Sequence, residues 1–312
     1  MMKIKPAVHF KSLSALHQAM GLKPPLHPLI SIIDYGQALF SPEDFKSGIQ
    51  LDFYKISFKT KFSGKIRYGQ GYYDFESGGM SFVSPGQILR MEMEEADYSG
   101  MSLHIHPDFL RSYAVSRKIK KYGFFLYSVA EALYLSEKEK KTMTTVFEAM
   151  QDELDERIDH FSRDVLISQI ELLLTQSNRF YNRQFITRKA VHHDILAKME
   201  DILQDFFNHE KGIRGLPTVE SVASQLNFTP RYLSDMLRQT TGQSAQQHIH
   251  QQLIEKAKEY LSDHQLSVSE TAYQLGFEHP QSFSKLFKKK TDMSPNQYRE
   301  LIQKNNNGSA EF

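Results

Sequence analysis

Between Ile30 and His106 the apolar positions come in short runs, ISII, LDFYKISF, KIRYG, GYYDF, MSFV, QILRM and GMSLHIH, several of them alternating apolar with polar. Alternation sends successive side chains to opposite faces of a strand, so each run predicts a strand with one face on a core. Between the runs stand Ser63-Gly64, Gly69, Gly71, Ser77-Gly78-Gly79, Ser84-Pro85-Gly86 and Gly100, residue types that accept tight-turn backbone. About six strands at this spacing predict a compact all-β unit, a sandwich or a small barrel.

From Pro107 the period changes to that of helices. Asp108 is placed to cap one, and Ser136 followed by Glu139 has the spacing of a capping box. In 136–180 the residues Phe147, Met150, Leu154, Ile158, Phe161 and Val165 form one apolar stripe, and Leu166, Ile170, Leu173 and Leu174 a second. Two apolar faces need two partners: the β unit together with a neighbouring helix, or the same helices of a second copy in a homodimer. The stretch YNRQFITRKAVHH is basic and loses its period, which predicts a linker over 181–193.

After Thr218 the chain repeats itself. Val219, Val222, Ala223, Leu226 and Phe228 answer Val268, Thr271, Ala272, Leu275 and Phe277 at an offset of 49 residues. Leu233, Met236, Leu237, Ser244 and His248 answer Phe283, Leu286, Phe287, Ser294 and Tyr298 at an offset of 50, so one residue is inserted in the second turn. Each copy reads as a short helix, a turn and a second short helix, the pattern of a helix-turn-helix. Ala223 and Ala272 suit a steep crossing where only a methyl fits, and Thr229-Pro230 is a cap followed by proline at the first helical position. Pro280 plays the same part after His279.

Composition narrows the classes. The 312 residues suggest two domains, and 40% apolar with 24% charged residues is the balance of an ordinary globular chain. No cysteine is present, which removes disulfides, thiol nucleophiles and thiolate metal sites and fits a reducing compartment. No apolar run approaches the ~20 residues of a membrane span, and the start MMKIKPAVHFK has no signal-peptide core, so a cytoplasmic protein without a membrane partner is expected. The closing NNNGSAEF reads as a disordered tail over 305–312.

Net charge is +1, which argues for no polyanion partner, and 194–304 holds 13 basic against 14 acidic side chains. The distribution says more. Pro280 to Lys290 carries Lys285, Lys288, Lys289 and Lys290 with no acid, while Pro230 to Gly242 carries Arg231 and Arg238 against Asp235. Lysines beside Gln281, Ser282 and Ser284 offer phosphate neutralisation together with groups that can address base edges.

The stretch SVSETAYQLGFEHPQSFSKLFKKKTDMSPNQYR, with its A-x-x-L-G-F followed by F-S-K-L-F-K-K-x-T-x-M-S-P-x-x-Y-R, resembles the signature of the AraC/XylS family of bacterial transcription regulators. VESVASQLNFTPRYLSDMLRQTTGQS resembles the family's more variable first motif, and MSFVSPGQILRM and LHIHPDFL resemble, more loosely, its cupin-like sensory and dimerisation half. The resemblance implies an α+β chain of two domains. A cupin-like β-barrel or jelly roll with following helices would occupy 1–180 (β part 30–106, helical part 107–180), and an all-α domain with two helix-turn-helix units 194–304. It implies double-stranded DNA as partner, and two recognition helices joined by a helix near Ala245–Ser262, about 26 Å long, that enter successive major grooves. Carried over position by position, Arg231, Ser234 and Asp235 in the first unit and Gln281, Ser282 and Lys285 in the second are the base-facing candidates. Arg238, Lys288 and Lys289 are the phosphate contacts. Asp235 departs from the family, which often has a basic or amide side chain there; it could accept from cytosine N4 or mark a weaker first-unit contact. The same resemblance brings a homodimer, a contact with RNA polymerase and a small-molecule effector into view.

His104-Ile105-His106 has the strand spacing that puts two imidazoles on one face, as in cupin metal sites, but no glutamate follows at the short spacing such sites use. No phosphate loop, nucleophile elbow or carboxylate pair stands out, so no catalytic residue, metal or cofactor is expected. Tyr54, Phe58, Tyr68, Tyr72, Tyr73, Phe75 and Phe82 could line a small-molecule pocket or fill an ordinary core. The reading from another class is a cupin-like small-molecule or metal-binding module, or metalloenzyme, with a helical interaction domain.

Overall fold

The computed structural model describes residues 7–39, 47–63, 65–68, 71–74, 78–89, 97–128, 131–156, 159–187, 189–208, 215–263 and 266–308. The chain divides into two compact units, Met1–Thr187 and Arg188–Phe312.

Unit 1 is rich in strands. Its elements are β1 (Val8–Phe10), α1 (Leu13–Ala19), β2 (Ile30–Asp34), β3 (Ile49–Leu51), β4 (Tyr54–Ser63), β5 (Lys65–Tyr68), β6 (Gly71–Asp74), β7 (Gly79–Val83), β8 (Ile88–Leu89), β9 (Asp97–Ile105), α2 (Pro107–Leu110), α3 (Val115–Lys118), β10 (Leu133–Tyr134), α4 (Glu137–Asp155) and α5 (Ser162–Thr187). Every apolar run from ISII onward holds a strand; β1, α1 and β10 lie outside the stretch the pattern marked. The strands make a five-stranded antiparallel sheet in the order β10-β7-β4-β9-β2, a three-stranded sheet β1-β3-β8 and the hairpin β5-β6.

Register explains why the large sheet stays where it is. Ile56 pairs with Leu103 and Phe82, and Phe58 with Met101 and Met80, so their side chains fall on one face. That face is roofed by helices and turns: Phe58 meets Phe147 of α4 at 5.6 Å, and Phe82 meets Phe124 at 4.4 Å and Tyr181 of α5 at 6.0 Å. The opposite face contributes Ile33 and Val83 to a second core with Phe10, Leu13, Leu16, Ile49, Leu51 and Phe53. Full burial of each such side chain contributes roughly 1.5–3 kcal/mol, so a one-residue slip, which would exchange the faces, is strongly disfavoured. Tyr54, Phe58 and Phe82 are therefore core residues. Phe75 and the side chains of Tyr68, Tyr72 and Tyr73 lie outside the described residues.

The second face also carries a polar row in register across β2, β9 and β4, with Ser31 and His104 buried and Lys55 half-buried. Burial, then the charges of Lys55 and His17, holds the His104 imidazole well below its ordinary pKa and hence neutral. His106 stands beyond the strand end and caps α2, its Nδ1 accepting from the Asp108 N–H at 3.3 Å; the cap expected at Asp108 thus lies two residues earlier. Among the described residues no group of three metal-ligating side chains gathers.

Two helical expectations are corrected. The stripe from Phe147 to Val165 is not one helix. α4 opens on the expected Ser136–Glu139 capping box and ends at Asp155. The Asp159 carboxylate then takes the N–H groups of Phe161 (2.7 Å) and Ser162 (2.9 Å), which starts α5 afresh. The two helices pack side by side in opposite directions, Glu139 near the start of α4 pairing with Arg183 near the end of α5 at 2.8 Å. Phe147, Met150 and Leu154 are buried, Phe161 and Val165 are exposed, and Ile158 lies outside the described residues.

The second correction concerns the linker. Residues 181–187 continue α5, with Tyr181, Gln184 and Phe185 buried, and 189–193 begin the next helix. Within that stretch a polar residue occupies an inward position and interrupts the apolar period: Gln184 accepts from the Tyr134 N–H at 2.8 Å.

Unit 2 is all helix among its described residues: α6 (Lys189–Asn208), α7 (Val219–Gln225), α8 (Pro230–Thr241), α9 (Ala245–Ser262), α10 (Val268–Gln274), α11 (Pro280–Thr291) and α12 (Pro295–Gly308). α12 runs through 305–308, so the tail expected from 305 begins inside a helix, and 309–312 lie outside the described residues. No helix among the described residues is long and apolar enough to cross a membrane.

Candidate nucleic-acid interface

The repeat read from sequence is a repeat in space. α7 and α10 are seven residues each, α8 and α11 twelve. Ala223 and Ala272, both fully buried, sit where each short helix meets the next. The turns match atom for atom at one bond: the Phe228 N–H reaches the Ala223 carbonyl at 2.8 Å, and the Phe277 N–H the Ala272 carbonyl at 3.0 Å. Both turns need a left-handed residue, supplied by Asn227 at φ 59° and Gly276 at φ 90°. Thr229 caps α8 by accepting from the Tyr232 N–H, whereas His279 makes no side-chain cap on α11.

Each second helix buries one side and exposes the other. Tyr232, Leu233, Met236 and Leu237 face inward from α8, and Phe283 and Phe287 from α11. On α8, Arg231 and Arg238 are exposed, with Ser234 and Asp235 half-buried between them. On α11, Gln281, Ser282, Lys285, Lys288, Lys289 and Lys290 are all exposed, and Ser284 is half-buried. Steps of three and four residues gather Arg231, Ser234, Asp235 and Arg238 on one strip of α8, and Gln281, Lys285, Lys288 and Lys289 on one strip of α11. Each strip has reach, donors and positive charge, which suits it to phosphates and to base edges in a groove wide enough for a helix.

The field around α11 is visible in a neighbour. Burial first, then Lys290 and Lys289, lowers the pKa of His250 on α9. Sequence reasoning does not single out His250; it counts Lys290 in the basic run, and the fold places that lysine near α9.

On α8 the structure adds what the sequence reading missed. Asp235 bonds to both neighbouring arginines, Oδ2 to Arg231 Nε at 2.8 Å and Oδ1 to Arg238 Nη1 at 3.0 Å. The signal was in the spacing, since residues four before and three after an aspartate on a helix lie within its reach.

α9 (Ala245–Ser262) occupies the span expected of the connecting helix, opening on a Ser244–Gln247 capping box. Its buried residues Ile249, Leu253, Ile254, Ala257 and Leu261 form the spine against which α8, α10 and α12 pack.

Comparison with known proteins bears on this unit. A family model described as a helix-turn-helix domain matches residues 222–301. The chain is 30% identical over 139 residues to the HTH-type transcriptional activator RhaS of Escherichia coli (strain K12 / DH10B), covering 45% of this chain and 46% of that one. It thus spans about half the length of the curated relatives it matches. Among solved structures, the C-terminal domain of AraT, a response regulator from Geobacillus stearothermophilus, is 34% identical with a TM-score of 0.30, over 34% of this chain and 84% of that chain. The C-terminal domain of the two-component response regulator yesN from Fusobacterium nucleatum is 30% identical with a TM-score of 0.29, over 32% of this chain and 93% of that chain.

Proposed function

The C-terminal domain of this chain belongs to the AraC-type helix-turn-helix family, and from that premise we propose that the whole protein is a sequence-specific transcription regulator that inserts α8 and α11 into successive major grooves of double-stranded DNA. One observation carries the proposal: two equal-length helices, related by an internal repeat, each present a polar strip rich in cations opposite a fully buried apolar one. In this reading Arg231, Ser234, Gln281, Ser282 and Lys285 address bases, and Arg238, Lys288 and Lys289 hold phosphates. Unit 1 is the cupin-like regulatory half, a reading supported by its two sheets with a core on each face of the larger one. It also dimerises the protein, through Phe161, Val165 and Leu172, three exposed apolar side chains on one line at and along α5. The regulator is cytoplasmic, and control by a small-molecule effector and contact with RNA polymerase complete the proposal.

Competition titration tests it. A duplex enriched by the full chain from a random pool should bind at least about 1,000-fold more tightly than its shuffled counterpart at physiological salt. Equal affinity for the two duplexes would contradict the proposal.

A further inference from the structure

We infer that Asp235 is the specificity-determining positioning residue of the first recognition helix: it reads no base itself and holds Arg231 and Arg238 in the posture in which they meet DNA. The inference rests on the reading of α8 as a DNA-facing helix and deepens it.

The geometry is that of a carboxylate shared between two guanidinium groups. Each oxygen of Asp235 is taken by a different arginine, at 2.8 Å and 3.0 Å, so the charge that cytosine N4 would meet is already offset by two guanidinium groups of the same helix. The acid lies beneath the arginines, its side chain 16% exposed against 45% for Arg231 and 51% for Arg238. Arg231 is held through Nε, which leaves Nη1 and Nη2, the pair able to span guanine O6 and N7, outside the bond. Arg238 is held through Nη1, with Nε and Nη2 outside it.

The repeat shows what α8 would carry without this device. At the offset of 50 residues, Arg231, Asp235 and Arg238 correspond to Gln281, Lys285 and Lys288. α11 therefore offers only cations and neutral donors, whereas α8 places a negative charge among the groups that meet a polyanion. That charge weakens binding to every DNA sequence alike. Exposed helix ion pairs add little to folding, so stability does not account for it. Fixing two long, flexible side chains before binding does, because ordering an arginine on DNA is costly and a pre-set fork tolerates fewer wrong bases.

The experiment uses the full chain, a duplex enriched by that chain from a random pool, and a shuffled duplex. Asp235→Ala and the near-isosteric Asp235→Asn are compared with the parent by competition titration, with circular dichroism to verify folding. The expected result is a fall of about tenfold in the ratio of enriched to shuffled affinity, with shuffled-duplex binding rising a few-fold. In an Arg231→Ala background the same Asp235→Ala change should lower the ratio little further, because the base-reading residue it positions is gone and Arg238, which it also holds, meets phosphate on either duplex alike. An unchanged ratio in folded Asp235→Asn overturns the inference. So does an equally large fall in the Arg231→Ala background, which would make Asp235 a base reader in its own right. A parent chain with no preference between the duplexes overturns the DNA reading of α8, and this inference with it.

Discussion

Lys285 and Lys289 have the same charge and sit one turn apart on α11, yet their positions give them different work. Lys285 lies in the second turn, where a long donor reaches guanine O6 and N7; Lys289 lies toward the flank, beside Lys290. Lys285→Ala should cost about 1–3 kcal/mol on the enriched duplex and relax preference at one base pair. Lys289→Ala should weaken enriched and shuffled duplexes together and make the salt dependence shallower by about one charge. Titrations of both variants on both duplexes at two salt concentrations check this, and equal weakening by Lys285→Ala with its base preference intact would reassign that lysine to phosphate. At this scale the candidate strip was legible in the sequence, because repeat offset and helical period together fix which residues share a face. The ties between those residues were not. In sequence Asp235 reads as an acceptor from cytosine N4 or as the mark of a weaker first-unit contact, because sequence lists the charges without showing that two of them hold a third. His106 was weighed as a metal ligand because strand alternation was extended one residue past the strand, where the ring caps α2 instead.

The helices that the sequence displayed best are those whose buried faces are purely apolar. α7, α8, α10 and α11 meet that condition nearly throughout, and the repeat supplied a second, independent witness. α4 and α5 fail it in instructive ways. Apolar spacing ran on across the junction, so the break depended on Asp159 capping a new helix, a local hydrogen-bond choice that periodicity does not report. The end of α5 is hidden from the pattern because Gln184, a buried polar residue satisfied by backbone groups, stands at an inward position there. The same logic yields a test at the crossing of α10 and α11. Ala272 is fully buried there, so Ala272→Leu forces extra volume into a closed contact and should cost about 1–3 kcal/mol. Hydrogen exchange of the full chain should show the protected amides of α10 and α11 opening roughly tenfold faster or more; unchanged exchange would mean that the crossing has room to spare.

At the scale of the molecule, the change of period at Pro107 falls inside unit 1, whereas the two units divide at 187/188, within the stretch 181–193 that loses its period in the sequence and is nevertheless helical on either side of residue 188. The expected dimer surface moves with the corrected helices. Leu154 is buried within unit 1, so the unpartnered line is Phe161, Val165 and Leu172. Sedimentation should find the full chain dimeric at micromolar concentration and the Val165→Glu/Leu172→Glu variant monomeric; a monomeric parent or an unchanged variant would count against that surface. A dimer raises the effective concentration of the second DNA-reading unit at paired sites, which is how modest contacts from each copy sum to selective occupancy. The central claim remains that α8 and α11 of one chain read one face of the duplex together. The most direct measurement is the layout of information in duplexes that the monomeric variant enriches from a random pool. Two short conserved blocks whose centres lie about 10 base pairs apart, one block altered by Arg231→Ala and the other by Lys285→Ala, are the predicted result. A single block that responds to both substitutions, or enrichment without any fixed spacing, would contradict it.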